Sequence, residues 1–519
     1  MGYGVVWFKR DLRLHDHAPL AAAAVQGPVL ALHCLEPSLW AQSDASAGHL
    51  GFLRECLVDL RRALARRGVP LQVVRGEAVE VLEAIHAREP FDTLWSHEEI
   101  GVEATWSRDK AVHAWCRARG VRWQEFPNGG VVRRLTDRDR WHGIWEQRMG
   151  QPQTVLPDLV PGGPLLPDSE DCGIAVPVHD PWEPPGRQRG GRSVAVPLLQ
   201  AFLASGASGY RRGMSSPATA PEACSRLSPY LTYGCLGVRE VVQAVRRQRA
   251  RDREGGLRPN RDLEAFESRL HWQAHFMQKL EREPAIAHAN MHRGYDGLRD
   301  RDGNPEHLEA LMAGQTGWPM VDASVAMLRH TGWINFRMRA MLVSVATYPL
   351  WLDWHPVGLW LARLFVDYEP GIHWSQIQMQ AGTTGINLPR VYNPIKQARD
   401  HDPEGHFVRS WLPALRTVPD PWIFEPWRMP DTLRTSAAEL GEPSWPQPLV
   451  DLPAATREAK ARVFAWRALP EVREGKAAVI LKHASRAPKA ARPRMRRRLP
   501  PQPRKPDQLG LDFGETPRP

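Results

Sequence analysis

The first 130 residues alternate short apolar runs with helical patterns, and nothing else in the chain constrains its fold as much. The runs "GVVWF", "PVLALHCL", "PLQVVRG", "FDTLWSH" and "VRWQEF" are separated by "APLAAAAV", "HLGFLRECLVDLRRALARRG", "AVEVLEAIHARE" and "KAVHAWCRARG". Strands that alternate with helices pair through crossover connections, which gives a parallel sheet covered by helices on both faces. The expectation is a doubly wound α/β domain over residues 1–130. No G-x-G-x-x-G follows the first strand, so that domain is not expected to hold a dinucleotide in the usual way.

From 131 to 195 proline and glycine crowd in, as in "LPDLVPGGPLLPD" and "HDPWEPPGRQRGGR", and the apolar period lapses. This reads as a long interdomain connection. Beyond Val196, apolar residues recur at spacings of three and four in "PLLQAFLASG", "GVREVVQAVRRQRARDRE", "RLHWQAHFMQKLE" and "FRMRAMLVSVATYPLWLDW", so residues 196–475 are expected to form an all-α domain. A length of 519 residues exceeds what one core usually spans, in keeping with two domains. After about Lys476 the chain turns to Arg, Pro and Ala, a composition expected to leave 476–519 disordered.

The formal charge is +10, and the ten Lys and Arg between Lys482 and Lys505, with no acidic residue among them, account for almost all of it. The body is therefore near neutral, and any nucleic-acid site on it has to be a local patch. Six cysteines occur without a C-x-x-C pair, which argues against a disulfide framework, a structural zinc site or an iron–sulfur cluster. The opening "MGYGVVWFKRDLRLHD" lacks a signal pattern and no run of about eighteen apolar residues follows, so the expected location is cytoplasmic.

Four ordered segments of the helical part are specific together: "CSRLSPYLTYG" (224–234), "LHWQAHF" (270–276), "TGWINFRMRAML" (331–342) and the long run from "LFVDYEPGIHWSQIQMQAGTTG" to "FVRSWLPAL" (364–415). They resemble the flavin domain of the photolyase and cryptochrome family, and "VVWFKRDLRLHD" resembles the opening of its antenna domain. The likeness covers roughly residues 3 to 470. It implies FAD as cofactor, damaged DNA as partner, and a light-driven repair enzyme of the deoxyribodipyrimidine photo-lyase type, with a blue-light photosensor lacking repair activity as the alternative. A flavin needs donors for its diphosphate and shaped walls for its ring, and the protein around it tunes the ring's electronics. By resemblance the cofactor-binding residues are Tyr210, Cys224, Ser225, Arg226, Leu227, Ser228, Gln273, Arg339, Asp367, Glu369 and His373. Arg339 and Asp367 are the family's ring-side pair, Glu369 stands where a second Asp is usual, and His373 takes the place facing the flavin N5, where its protonation would select the persisting radical.

Photolyases flip a pyrimidine lesion out of the duplex into a pocket walled by aromatics and rimmed by cations. The resemblance puts Trp272 against the lesion and Arg337 on the phosphate side, with Phe336 and Met379 on the DNA-facing wall. Here the chain departs from the pattern: Arg269 replaces an acid, Phe336 an Asn and Met379 a second Trp, which weakens the usual dimer contacts. Of the family's three electron-relaying tryptophans only Trp354 is in place. The others align with Ile377 and roughly with Arg301, while Trp351, Trp360 and Trp374 lie close in sequence. The family also admits a second, light-harvesting chromophore of folate or deazaflavin type. Glu98, Glu99 and Glu103 lie where some relatives hold a folate, although acids opening a helix equally complement its dipole.

The chain closes with "QLGLDF" beyond the arginine-rich stretch. Gln508, Leu509, Leu511 and Phe513 resemble the Q-L-x-L-x-F peptide with which bacterial replication and repair proteins engage the sliding clamp, and a sticky end without a partner is the competing reading.

Overall fold

The computed structural model describes residues 2–167, 175–301, 303–433 and 445–484. Five strands, β1 (Gly4–Trp7), β2 (Val29–Leu35), β3 (Leu71–Arg75), β4 (Thr93–His97) and β5 (Arg122–Phe126), form one sheet in the order β3-β2-β1-β4-β5. Every neighbouring pair is parallel. All seven residues of β2 are buried, as in a strand covered on both faces, and this is why all but His33 are apolar. Successive β1 residues feed different cores: Val6 packs with Leu53, Leu57 and Leu60 of the Ala47–Ala65 helix, and Val5 with Leu82, Ile85 and Val112 on the opposite face.

The strand order reverses between β1 and β4, where open α/β sheets carry their crevice. Lys9, Arg10 and Asp11 leave β1 there, Glu98 and Glu99 leave β4, and together they line a cavity shared with Gln273 and Glu369 of the helical part. The helical core gathers around Pro319–Thr331, Phe336–Thr347 and Trp354–Leu364. The Pro370–Ala381 helix packs at once on Arg261–Arg282, Phe336–Thr347 and Trp354–Leu364, so those three present their residues around a common axis.

Two expectations need correction. The stretch 131–195 is built structure: its Trp141–Gly150 helix buries Trp141, Trp145 and Met149, four residues apart on one face. Trp145 lies 4.9 Å from His271 of the Arg261–Arg282 helix, edge to face. Farther on, the Val29 amide donates to the Val160 carbonyl, and Gly186 donates to the His330 carbonyl. Two glycines and the surrounding prolines hide that three-residue stripe in the sequence.

The second correction concerns the chain end. The helix Pro470–His483 continues past Lys476. Tertiary anchors hold it: Lys482 and His483 both reach Glu283, at 2.7 and 2.6 Å, and Arg138 donates to the Lys482 and His483 carbonyls. The basic run from 485 and the hexapeptide Gln508, Leu509, Leu511 and Phe513 lie outside the described residues.

Candidate functional site

Arg339 and Asp367 form a bidentate pair. The two guanidinium nitrogens donate to the two carboxylate oxygens at 3.0 and 2.9 Å, and Nε donates to the Ile334 carbonyl. The guanidinium also lies 4.1 Å from the Phe365 ring centre. Arg339 sits in the first turn of Phe336–Thr347, and Asp367 lies three residues ahead of the Pro370–Ala381 helix. Two packed helices thus fix the fork geometry that Arg requires.

Arg226 holds φ of 53°, which costs an ordinary residue about 1 kcal/mol or more. A reciprocal pair keeps it there: Gln188 donates to the Arg226 carbonyl at 3.1 Å, and Arg226 Nε donates back to Gln188 at 3.2 Å. Its guanidinium stacks 3.9 Å from the Trp333 ring centre, and among the described residues no carboxylate lies within ion-pair distance. Burial lowers its pKa, so this is a cation kept without a full counter-charge. Ser225 and Ser228 flank it half-buried, Leu227 is buried in the core, and the Cys224 thiol is pushed up to about 11 by burial. Tyr210 is buried beside Phe202 and Phe266, its hydroxyl paired with Arg269.

These groups suit FAD. A half-buried unpaired guanidinium with two neighbouring hydroxyls matches a diphosphate. Gln273, Gln376 and Gln380 carry buried amide oxygens without a partner, acceptors placed for donors of a bound molecule. Gln188, Trp333, Gln376 and Gln380 escape sequence reasoning. Gln188 stands in a segment read as a linker, and the others look like ordinary helix residues.

On the outer side, Trp272 is 39% and Phe336 44% exposed, although both are large apolar residues. Arg337 is half-buried, reaches Ser215 Oγ and Gln397 Oε1 at 3.4 and 3.5 Å, and keeps Nε without a partner. Met379 is half-buried on Pro370–Ala381. Trp272 and Phe336–Arg337 stand on two different helices, each packed on that element.

His373 is buried, and its Nε2–H donates to the Gly358 carbonyl at 2.8 Å. Burial, aided by Arg339, pushes its pKa down to about 3, which favours the neutral ring. Glu369 turns toward the other domain, 3.6 Å from Arg10, with one oxygen unpartnered, and burial pushes it up to about 7. Trp354 is buried, its indole N–H donating to Asn290 at 2.8 Å. Ile377 is core, and Arg301 is exposed and tied to the His288 carbonyl. Trp360 is buried, and Trp351 lies between the guanidinium groups of Arg299 and Arg462.

In the interdomain cavity, Glu98 is raised by burial, whereas Glu99 is committed to Arg108 at 2.6 Å and Glu103 is exposed at a helix start. Asp11 accepts from both His17 and His97, at 2.9 and 2.7 Å. The other nitrogen of His17 accepts the Leu20 amide, so its proton faces Asp11. This buried trio is a satisfied hydrogen-bond cluster.

Comparison with known proteins finds relatives along most of the chain. Residues 4–136 match the DNA photolyase family model, and residues 266–465 match the FAD binding domain of DNA photolyase. The deoxyribodipyrimidine photo-lyase of Streptomyces griseus is 30% identical, the match covering 90% of this chain and all of that protein. The cryptochrome DASH of Gloeobacter violaceus is 29% identical, over 88% of this chain and 95% of its own. A solved bacterial class III photolyase from Agrobacterium tumefaciens has the same fold, with a TM-score of 0.76 at 24% identity, covering 90% of this chain and 98% of that one.

Proposed function

We propose, from the premise that the chain belongs to the photolyase and cryptochrome family, that this member is a light-dependent DNA repair flavoprotein which splits a flipped pyrimidine lesion. FAD, when bound, supplies the light-driven electron. Arg226, Ser225 and Ser228 hold its diphosphate, and the Arg339–Asp367 pair lies beside its ring. Neutral His373 is a fixed dipole tied to a backbone carbonyl. Trp272 stacks on the lesion, Phe336 adds a second apolar wall, and Arg337 holds backbone phosphate.

The observation that carries this reading is the exposure of Trp272 and of Phe336, the latter next in sequence to a half-buried cation, Arg337, with an unpartnered nitrogen. Large aromatics left in water invite a stacking partner. The substitutions at Arg269, Phe336, His373 and Met379 favour the second reading, a photosensor of the cryptochrome kind, or an unusual repair branch. Illuminating the purified flavoprotein with lesion-bearing oligonucleotides separates the two. Light-dependent loss of the lesion supports repair, and a photoreducible flavin that leaves every lesion intact supports the sensor. The tail segment 508–513 belongs to the same proposal, as a peptide that brings the protein to sliding clamps at replicating or repaired DNA.

A further inference from the structure

Beneath the Arg339–Asp367 pair an aromatic path runs away from the site and ends on a carboxylate of the other domain. The Trp374 ring lies 4.9 Å from His373, edge to face, and 5.9 Å from Trp354. It is 2% exposed and pressed on Gly358, where an added Cβ would meet the ring at 2.5 Å. Its indole N–H donates to the Tyr368 hydroxyl at 3.0 Å, and that hydroxyl donates to Asp44 Oδ2 at 2.6 Å. Asp44 lies just ahead of the Ala47–Ala65 helix and is half-exposed, so the chain of bonds runs from a sealed indole to water.

This arrangement does what an oxidised aromatic needs. A tryptophan radical cation buried among apolar groups carries a poorly solvated charge. A tyrosine oxidised with loss of its proton carries none, and the loss requires an acceptor already in place. Asp44 is that acceptor, 2.6 Å from the phenol oxygen. Burial, with the Asp44 charge, holds the phenol firmly protonated at rest, so it enters as a donor.

We infer that Trp374, Tyr368 and Asp44 form an electron and proton relay that serves the flavin in place of the missing tryptophans. The inference rests on the light-driven flavin chemistry proposed above. The photoexcited flavin is the oxidant and takes one electron from Trp374. Tyr368 then gives one electron to the Trp374 radical cation while its O–H proton passes to the Asp44 carboxylate. The flavin gains one electron, Tyr368 loses one electron and one proton, and Asp44 gains the proton. A thiolate from solution returns one electron to Tyr368 and becomes a thiyl radical, while Asp44 returns the proton to the phenol oxygen. Trp354 stands on a side branch, next to Trp374 and pinned to Asn290.

Flash photolysis followed by optical and electron paramagnetic resonance detection, on the full-length FAD-loaded protein, tests this. The parent should show a tryptophanyl radical that decays into a tyrosyl radical, more slowly in deuterium oxide. Tyr368→Phe should lose the tyrosyl signal and keep the tryptophanyl one. Asp44→Asn, which leaves the aromatics in place, should also lose it. Trp374→Phe should lose both, with FAD content measured in each variant. A tyrosyl signal that survives in Tyr368→Phe, or that forms in Asp44→Asn at the parent rate, overturns the relay. A flavin-loaded parent that photoreduces without any tyrosyl radical overturns the relay and leaves the flavin reading standing, whereas a colourless parent overturns both.

Discussion

Arg339 commits three donors, one to a backbone carbonyl and two to Asp367, and this economy predicts what its loss of partner does. Removing one member of a buried pair typically costs about 3–5 kcal/mol because the other charge stays behind. The Arg339 side chain is 24% exposed, so Asp367→Ala should fall at the lower end of that range. The variant should fold less stably and retain less FAD, read as flavin absorbance per protein after gel filtration. Full flavin occupancy in that variant would remove the pair from the cradle. The positions of this pair are legible in the sequence through "FRMRA" and "FVDYE". The direction of Glu369 is not, because its partner Arg10 is 359 positions away and belongs to the other domain. The state of His373 is also hidden, since a histidine in "GIHWSQ" does not reveal that its Nε2–H donates to the backbone carbonyl of Gly358.

At the scale of elements, the five strands are readable because each is an apolar run bounded by turn residues, and the crossover helices because their stripes are long. Two elements are not. The Trp141–Gly150 helix is too short, and the Pro470–His483 helix buries only Val472 and His483, so tertiary anchors define it. Those anchors carry a pH dependence. Burial would raise the Glu283 carboxyl, but hydrogen bonds from His483 and Lys482 outweigh it and hold the group down at about 2, against 4.5 unfolded. A carboxylate depressed in the folded state stabilises fully above its unfolded pKa and loses that contribution as protons fill it. Protection of residues 470–483 in hydrogen exchange should therefore fall between about pH 4.5 and about pH 2, and Glu283→Gln should flatten the change. On the Arg261–Arg282 helix, Trp272→Ala should weaken binding of lesion-bearing duplex by roughly 1–3 kcal/mol at fixed salt, the worth of one stacked base. Equal affinity of variant and parent, measured by fluorescence anisotropy, would place the lesion pocket elsewhere.

At the scale of the whole molecule, charge and geometry join the two ends of the proposal. Glu283, which clasps Lys482 and His483, ends the same helical stretch that carries Trp272, eleven residues earlier. At 1.5 Å per residue that separation is roughly 16 Å, so the basic run leaves the body close to the face proposed for DNA. Nine Lys and Arg from Arg486 to Lys505 can track phosphates without reading sequence. From Ala484 the chain can reach Gln508 over a span of at most about 85 Å, enough to touch a clamp while the body stays on the duplex. In the proposed contact the two leucines and the phenylalanine would fill an apolar cleft, with Gln508 satisfying its polar rim. A peptide of residues 505–519 should bind a purified bacterial sliding clamp weakly, and Leu511→Ala with Phe513→Ala should abolish the binding, because those side chains supply most of the buried area. The same double substitution in the full protein should leave lesion repair on a short oligonucleotide unchanged, since no clamp is present there, and should remove clamp capture alone. A parent peptide that fails to bind at high micromolar concentration in calorimetry would reduce the segment to a chain end without a partner.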